Sequence, residues 1–291
     1  MVSRAKAARW GAALTGAGAA TLGYAAWVEP RWLQLRRPRI HVRGLPAPLE
    51  GLRIALLTDL HAGRPRDYAL IRRAVRMVMA EVPALIALTG DLTVDDAQDF
   101  SEVLAALDGL SAPLGVYAVP GNHDHIVGIG KWRRDIGSHP VITDLTNRSV
   151  LHEVDGARLC VAGVDDYFRG TPRLPVPPRK DRDFTLLLAH SPDQGERCCR
   201  IDDAVDLIVS GHTHGGQVRL PFLGAPVRSA AFGDLYDEGL RRRPWTQVYT
   251  SRGIGTIHLP VRLFARPEVA VLRLTGAPRP PRGLVSRLMR G

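Results

Sequence analysis

Leu52-Arg-Ile-Ala-Leu-Leu-Thr-Asp-Leu-His61 is the stretch on which the fold turns. Leu52 to Thr58 is an almost unbroken apolar run, as expected of a strand buried on both faces rather than one with a wet side. It ends in a carboxylate and an imidazole two residues apart, Asp59 and His61. A second run, Ala84 to Thr89, ends in Gly90-Asp91, and a third, Gly115 to Val119, precedes Gly121-Asn-His-Asp124. Between the first two, Asp67 can cap a helix through Met79. Ile71, Val75 and Val78, with Leu70 and Ala74, form its single apolar stripe, and Pro83 closes the segment. A shorter helix near Ser101 to Leu107 separates the second strand from the third. This alternation implies parallel pairing through right-handed crossovers.

Farther along, strands predominate. Candidates are Val150 to Val154, Arg158 to Val164, Phe184 to Ala189, Val205 to Ser210, Gln217 to Leu220, Gln247 to Ser251 and Val269 to Leu274. Pro172 to Pro178 reads as a proline-rich surface loop, and there is no internal repeat. The pattern predicts an α/β fold, a four-layer α/β/β/α sandwich of two mixed sheets, with an apolar helix at the N-terminus. Residues 1–44 read as that N-terminal segment and a linker, 45–276 as the main domain, and 277–291 as a basic tail.

Each polar cluster follows a strand. His190 ends Phe184 to Ala189, and His212-Thr-His214 follows Val205 to Ser210. Sites in open α/β sheets form at the carboxyl ends of strands, so these loops converge on one edge. Carboxylate, imidazole and amide donors without thiolate suit Mn²⁺, Fe, Zn²⁺ or Mg²⁺. Two such cations can clamp the attacking and leaving oxygens of an in-line displacement, and they need a bridging carboxylate, for which Asp91 is the obvious choice. Asp59 and His61 can serve one ion, and His212 and His214 can divide between both.

The blocks D-x-H, G-D, G-N-H-D, H and G-H-x-H, in this order, resemble the calcineurin-like metallophosphoesterase family over about Leu52 to Leu274. The resemblance implies a dinuclear site. One divalent ion would be held by Asp59, His61, Asp91 and His214, the other by Asp91, Asn122, His190 and His212. His123 would protonate the leaving group, with Asp124 orienting its ring, while a hydroxide bridging the metals attacks phosphorus. Gly211 to Pro221, Ser251 to Gly255, Pro260 to Phe264 and Arg266-Pro-Glu268 look like the bacterial branch with an N-terminal membrane or export segment. That branch holds phosphodiesterase-like enzymes and a UDP-2,3-diacylglucosamine hydrolase. The expected substrate is a phosphodiester or pyrophosphate, in a lipid-linked or nucleotide-containing molecule.

Charge and composition frame these expectations. The chain of 291 residues is 45% hydrophobic and carries +10, with Lys6, Lys131 and Lys180 its only lysines. A basic surface attracts phosphate esters, acidic headgroups or nucleic acid, and charge alone does not choose among them. Aromatics make up only 6%, and no stacking array is visible, which argues against a nuclease. Three cysteines without C-x-x-C spacing argue against a disulfide framework or a zinc knuckle, and Cys160 reads as core. Arg252 and Arg262 read as structural ion pairs or as holders of a second phosphate. His125 is read as a non-ligand, either at the pocket mouth or exposed, and Asp95 and Asp96 as a solvated loop.

Trp10 to Val28 carries no charge and just reaches membrane-spanning length, with Trp10, Tyr24 and Trp27 near its ends. Anchor, signal peptide and surface helix are the three readings, the anchor being carried forward. Arginines downstream lean toward a catalytic domain on the cytoplasmic face. A phosphomonoesterase, a nuclease, and a non-catalytic membrane-bound metal-binding protein are the alternatives to the phosphodiesterase reading. A missing ligand or acid would have supported the last.

Overall fold

The computed structural model describes residues 4–94, 100–198 and 205–276. The basic tail 277–291, and Asp95 and Asp96, lie outside the described residues. Two sheets pack face to face. The first contains β1 (Gln34–Arg36), β2 (Arg39–Val42), β3 (Arg53–Leu57), β4 (Leu85–Leu88), β5 (Val116–Ala118), β6 (Ile142–Asp144) and β13 (Glu268–Gly276). The second contains β7 (Arg148–Val154), β8 (Ala157–Gly163), β9 (Phe184–Leu188), β10 (Leu207–Ser210), β11 (Gly239–Arg242) and β12 (Gln247–Thr250). β3, β4, β5 and β6 pair in parallel, whereas β13 runs antiparallel to β3, so the sheet is mixed. In the second sheet β8, β9, β10 and β12 are parallel, with β7 and β11 antiparallel at the edges.

The continuous apolar runs are explained by burial on both faces. Along β3, Ala55 and Leu57 enter the core beneath the helices, while Ile54 and Leu56 enter the core between the sheets. β8 behaves likewise: Leu159 and Val161 face the first sheet, Cys160 and Ala162 the outer side. Burial pushes the Cys160 thiol up to about 11, which suits an inert core residue. The helical layer is α2 (Pro65–Ala80), α3 (Ser101–Ala106) and α4 (Asn122–Ser138). Ile71, Ala74, Val75 and Val78 of α2 are buried as one stripe, each larger side chain contributing about 1.5–3 kcal/mol. The outer layer over the second sheet is thin: α5 (Gln194–Arg197) with Tyr236, Trp245 and Val176 from loops.

Three readings of the sequence need correction. Part of the linker is structural, since β1 and β2 both pair with β13. Gln217 to Leu220 is no strand: Val218 and Leu220 make only isolated bridges, because Gly215 and Gly216 turn the chain there. At the N-terminus a helix does form, α1 (Arg4–Gly23), continuing into a wider turn, Tyr24–Val28. Its Ala and Gly content leaves it short of the expected span. Among the described residues no helix is long and apolar enough to cross a membrane.

Candidate metal centre

β3, β4 and β5 of the first sheet and β9 and β10 of the second end at one edge. Each delivers a polar loop there: Asp59 and His61, Asp91, Asn122, His190, and His212 with His214. Asp59, His61, Asp91, His212 and His214 all have positive φ, between 42° and 71°. Non-glycine residues enter this left-handed region at a cost of order 1–3 kcal/mol each, tolerated where surroundings over-determine them. The turn breaks strand alternation, so residues i and i+2 aim at one point. Glycine is required beside them. Gly211 packs against Thr58 and Asp59, and Gly90 (φ 91°) against the Gly121 backbone, with no room for a Cβ at either.

Three overlapping donor groups result, Asp59–His61–His214, His61–Asp91–His123 and Asp91–His190–His212, and they form two clusters joined at Asp91. In the first, Nε2 of His61 and of His214 lie 3.2 Å apart, with Asp59 Oδ1 3.4 Å from His214 Nε2 and Asp91 Oδ2 3.6 Å from His61 Nε2. In the second, His190 Nε2 lies 3.2 Å from the same Asp91 Oδ2 and 3.0 Å from Asn122 Oδ1, which is 3.0 Å from His212 Nδ1. Carbonyl partners set two tautomers: His190 Nδ1–H donates to Thr89 O (2.8 Å) and His212 Nε2–H to Ser229 O (3.3 Å). These bonds turn His190 Nε2 and His212 Nδ1 toward the centre, where each can donate a lone pair once deprotonated, the arrangement metal-binding imidazoles adopt.

Electrostatics make the same point. Burial, with the Asp91 charge nearby, raises the Asp59 carboxyl to about 6. Asp91 is itself fully buried, but His190 and His61 overcome the desolvation and hold it well below the usual range. Burial opposes charge on His190, yet Asp91 and Asp59 raise it to about 10. Burial and the His190 charge bring His212 down to about 4, and burial with His61 and Arg262 holds His214 well below its usual value. Two buried carboxylates thus demand compensating positive charge amid inward-facing imidazoles. Carboxylate, imidazole and amide donors without thiolate suit divalent cations of intermediate hardness, so these residues fit a dinuclear centre.

The neighbours differ from the sequence reading in instructive ways. His123 is buried, its ring edge-on to His61 at 4.9 Å, and its backbone N–H donates to Asp91 Oδ1 (2.9 Å). Asp124 was expected to orient the His123 ring. Its oxygens instead accept backbone N–H groups, Oδ2 from Asp91 (2.8 Å) and Gly121 (2.9 Å), Oδ1 from Leu92 (2.9 Å). The reason is its place in the first turn of α4, facing back across Gly121 as part of a capping box. Burial and the Asp91 charge raise Asp124 to about 7. Arg252 is the structural ion pair expected, with Glu238. Arg262 has no ion pair among the described residues: fully buried, it donates to the carbonyls of Arg252, Gly255 and Ala265, and its Nη2 lies 3.4 Å from His214 Nδ1. His125 bonds Asp165 at 2.7 Å, a partnership the sequence reading missed; an Asp-Asp pair following the β8 strand was the available signal.

Residues 52–216 match the calcineurin-like phosphoesterase family. The Bacillus subtilis metallophosphoesterase YkuE is 32% identical over 267 residues, which cover 90% of this chain and 92% of that protein. Escherichia coli phosphodiesterase YaeI is 33% identical over 271 residues, covering 90% and 96%. A Bos taurus transmembrane protein with metallophosphoesterase domain is 30% identical over 264 residues, covering 82% of this chain and 56% of its own length.

Proposed function

The chain belongs to the calcineurin-like phosphoesterase family, and from that premise we propose that it hydrolyses phosphodiester or pyrophosphate bonds in lipid-linked substrates. It is a metal-dependent phosphoric ester hydrolase. The observation that carries the reading is the place of Asp91 between His61, at 3.6 Å, and His190, at 3.2 Å, which links the Asp59–His61–His214 group to the His190–His212 pair. Asp59, His61, Asp91 and His214 would hold one divalent cation, and Asp91, Asn122, His190 and His212 would hold the other. When bound, such a pair neutralises charge on the phosphoryl oxygens and makes water acidic enough to attack at neutral pH.

The chain's own residues do the rest. Thr89 O and Ser229 O lock the tautomers of His190 and His212. Asp124 fixes the backbone of Asp91 and Gly121, and through it the shared carboxylate. His123, beside His61 and Asp91, protonates the leaving oxygen. Neither Arg252, paired with Glu238, nor Arg262, buried on carbonyls, is available for the second charge of a monoester, which favours the singly charged diester. An aromatic ring beside the centre and exposed apolar residues on a neighbouring loop support a lipid-linked substrate. Phe168 stacks on His212 at 5.1 Å, and the loop carrying Ser229 exposes Phe222 and Leu223. The catalytic domain then extends from about Ala25, where the N-terminal segment packs down, to Gly276.

The test is to strip metal from the full chain and restore Mn²⁺, Zn²⁺ or Mg²⁺ with bis-p-nitrophenyl phosphate, p-nitrophenyl phosphate and a diacylated sugar-nucleotide pyrophosphate. Metal-restored turnover that prefers diester or pyrophosphate, and falls at least about 100-fold in Asp91→Asn, is expected. Turnover indifferent to metal would refute the reading.

A further inference from the structure

A hollow of ≈260 Å³ lies outside the donor cluster. Its walls are the end of the N-terminal helical segment, the first turns of α2, and the segment from Ile254 to Pro260. Three guanidinium groups line it, from Arg31, Arg66 and Arg73, against one carboxylate, Asp67. That carboxylate lies 3.5 Å from Arg66 Nε, with both side chains partly exposed, so it offsets little. Arg31 donates to the carbonyls of Ala26 and Trp27, neutral partners that leave its charge standing. The remaining wall is mostly apolar, with Ala26, Leu70 and Ile254, and includes Thr256.

The surroundings of this hollow are greasy. Leu22, Trp27 and Leu259 are 71%, 68% and 66% exposed, and Trp32 nearby carries Arg266 over its ring at 4.0 Å. Exposed Trp and Leu interleaved with arginine is the make-up of a surface that lies in a bilayer interface without crossing it. The hollow is also firmly attached to the body. Ala25 O accepts Arg262 N–H (2.9 Å), and Glu29 Oε1 accepts Ala265 N–H (2.7 Å). On its inner side, Gly255 N–H donates to Asp59 O at 2.7 Å, one residue's thickness from the metal centre.

We propose that this cavity binds the phosphate headgroup of an anionic bilayer lipid, with Leu22, Trp27 and Leu259 entering the interface. The bilayer is then seated beside the Asp59 loop, and the N-terminal segment acts as part of the seat. A phosphate matches the net positive charge of the hollow, and arginine is the residue suited to hold it. Acyl chains match the exposed rim. The proposal gives a place to the lipid-linked reading above, and its test is separable from that reading.

The test is partition of the full chain onto vesicles of phosphatidylcholine with and without phosphatidylglycerol. Arg66 and Arg73 are solvent-exposed on α2, and neither belongs to the metal centre. Arg66→Gln/Arg73→Gln is expected to weaken partition onto the anionic vesicles about 30-fold, from about 1 kcal/mol per cation. Arg133→Gln/Arg134→Gln on α4 removes the same charge elsewhere and is expected to change it less than about threefold. Unchanged partition in the first double variant, or equal loss in both, would overturn the proposal. Turnover of bis-p-nitrophenyl phosphate stays at the wild-type level in both variants, so a failed seat and a failed catalytic assignment give different results.

Discussion

Asp124→Asn separates two accounts of this carboxylate. Its oxygens accept three backbone N–H groups, from Asp91, Gly121 and Leu92, in a fully buried position. An amide keeps one acceptor oxygen and turns the other into a donor. At least one buried N–H then faces an NH₂ group, losing a charge-assisted bond worth about 1.5–3 kcal/mol and leaving a donor unsatisfied at about 1–3 kcal/mol. A net loss of about 3 kcal/mol lowers Tm by about 5 °C in a chain of 291 residues, at about 2.1 cal/mol/K of unfolding entropy per residue. The loop that shifts carries the shared Asp91, so kcat/KM should fall about 10–100-fold, as for other groups that orient ligands. The assay pairs thermal melting with kcat/KM at pH 8, where Asp124, raised to about 7, is ionised. Aryl phosphodiesters of graded leaving-group pKa serve as substrates. The expected loss is the same for every leaving group. An unchanged Tm, with a loss that steepens as the leaving group worsens, would refute the positioning role and return Asp124 to the His123 ring.

Other consequences follow from the same geometry. His123→Ala should cost about 100–1,000-fold with poor leaving groups and far less with p-nitrophenolate, in steady-state rates across the same series; equal losses would count against the acid role. The metal-free chain should lose stability between pH 7 and 9. His190 is raised to about 10 by Asp91 and Asp59, so its contribution is complete below its unfolded value of about 6.5 and fades as pH climbs toward 10. The loss is at most about 3 kcal/mol over those two units, readable by denaturant titration, and saturating metal should abolish the slope. Gly211→Ala places a methyl against Thr58 and Asp59, so it should cost about 1–3 kcal/mol and most of the metal affinity; wild-type binding in this variant would show the loop to be slack.

What could be read in advance was whatever local composition encodes. β3 and β4 are apolar at nearly every position because both faces are buried, and their ends carry the polar clusters because strand ends are where loops converge. α4 escaped notice for a physical reason. Its first turn is the Asn122-His-Asp124 motif itself, and Gly128, at φ 127°, interrupts the helix six residues later. β1, β2 and β11 are short, with charged or half-exposed positions, and exist because β13 and β12 offer them edges. The His125–Asp165 bond and the solitary burial of Arg262 depend on contacts between distant segments, which no local pattern records. The ligand candidates stood out because a polar donor follows an apolar run at five strand ends, with glycine directly before it after β4, β5 and β10.

The central claim is that Asp91 joins two metal positions, and metal stoichiometry tests it most directly. Isothermal titration of the stripped full chain with Mn²⁺, checked by elemental analysis after dialysis, should give two ions per chain for the wild type. His212→Ala, which touches one donor group alone, should retain one, and Asp91→Asn should weaken both. A single ion in the wild type, or two tightly held ions in Asp91→Asn, would contradict the account.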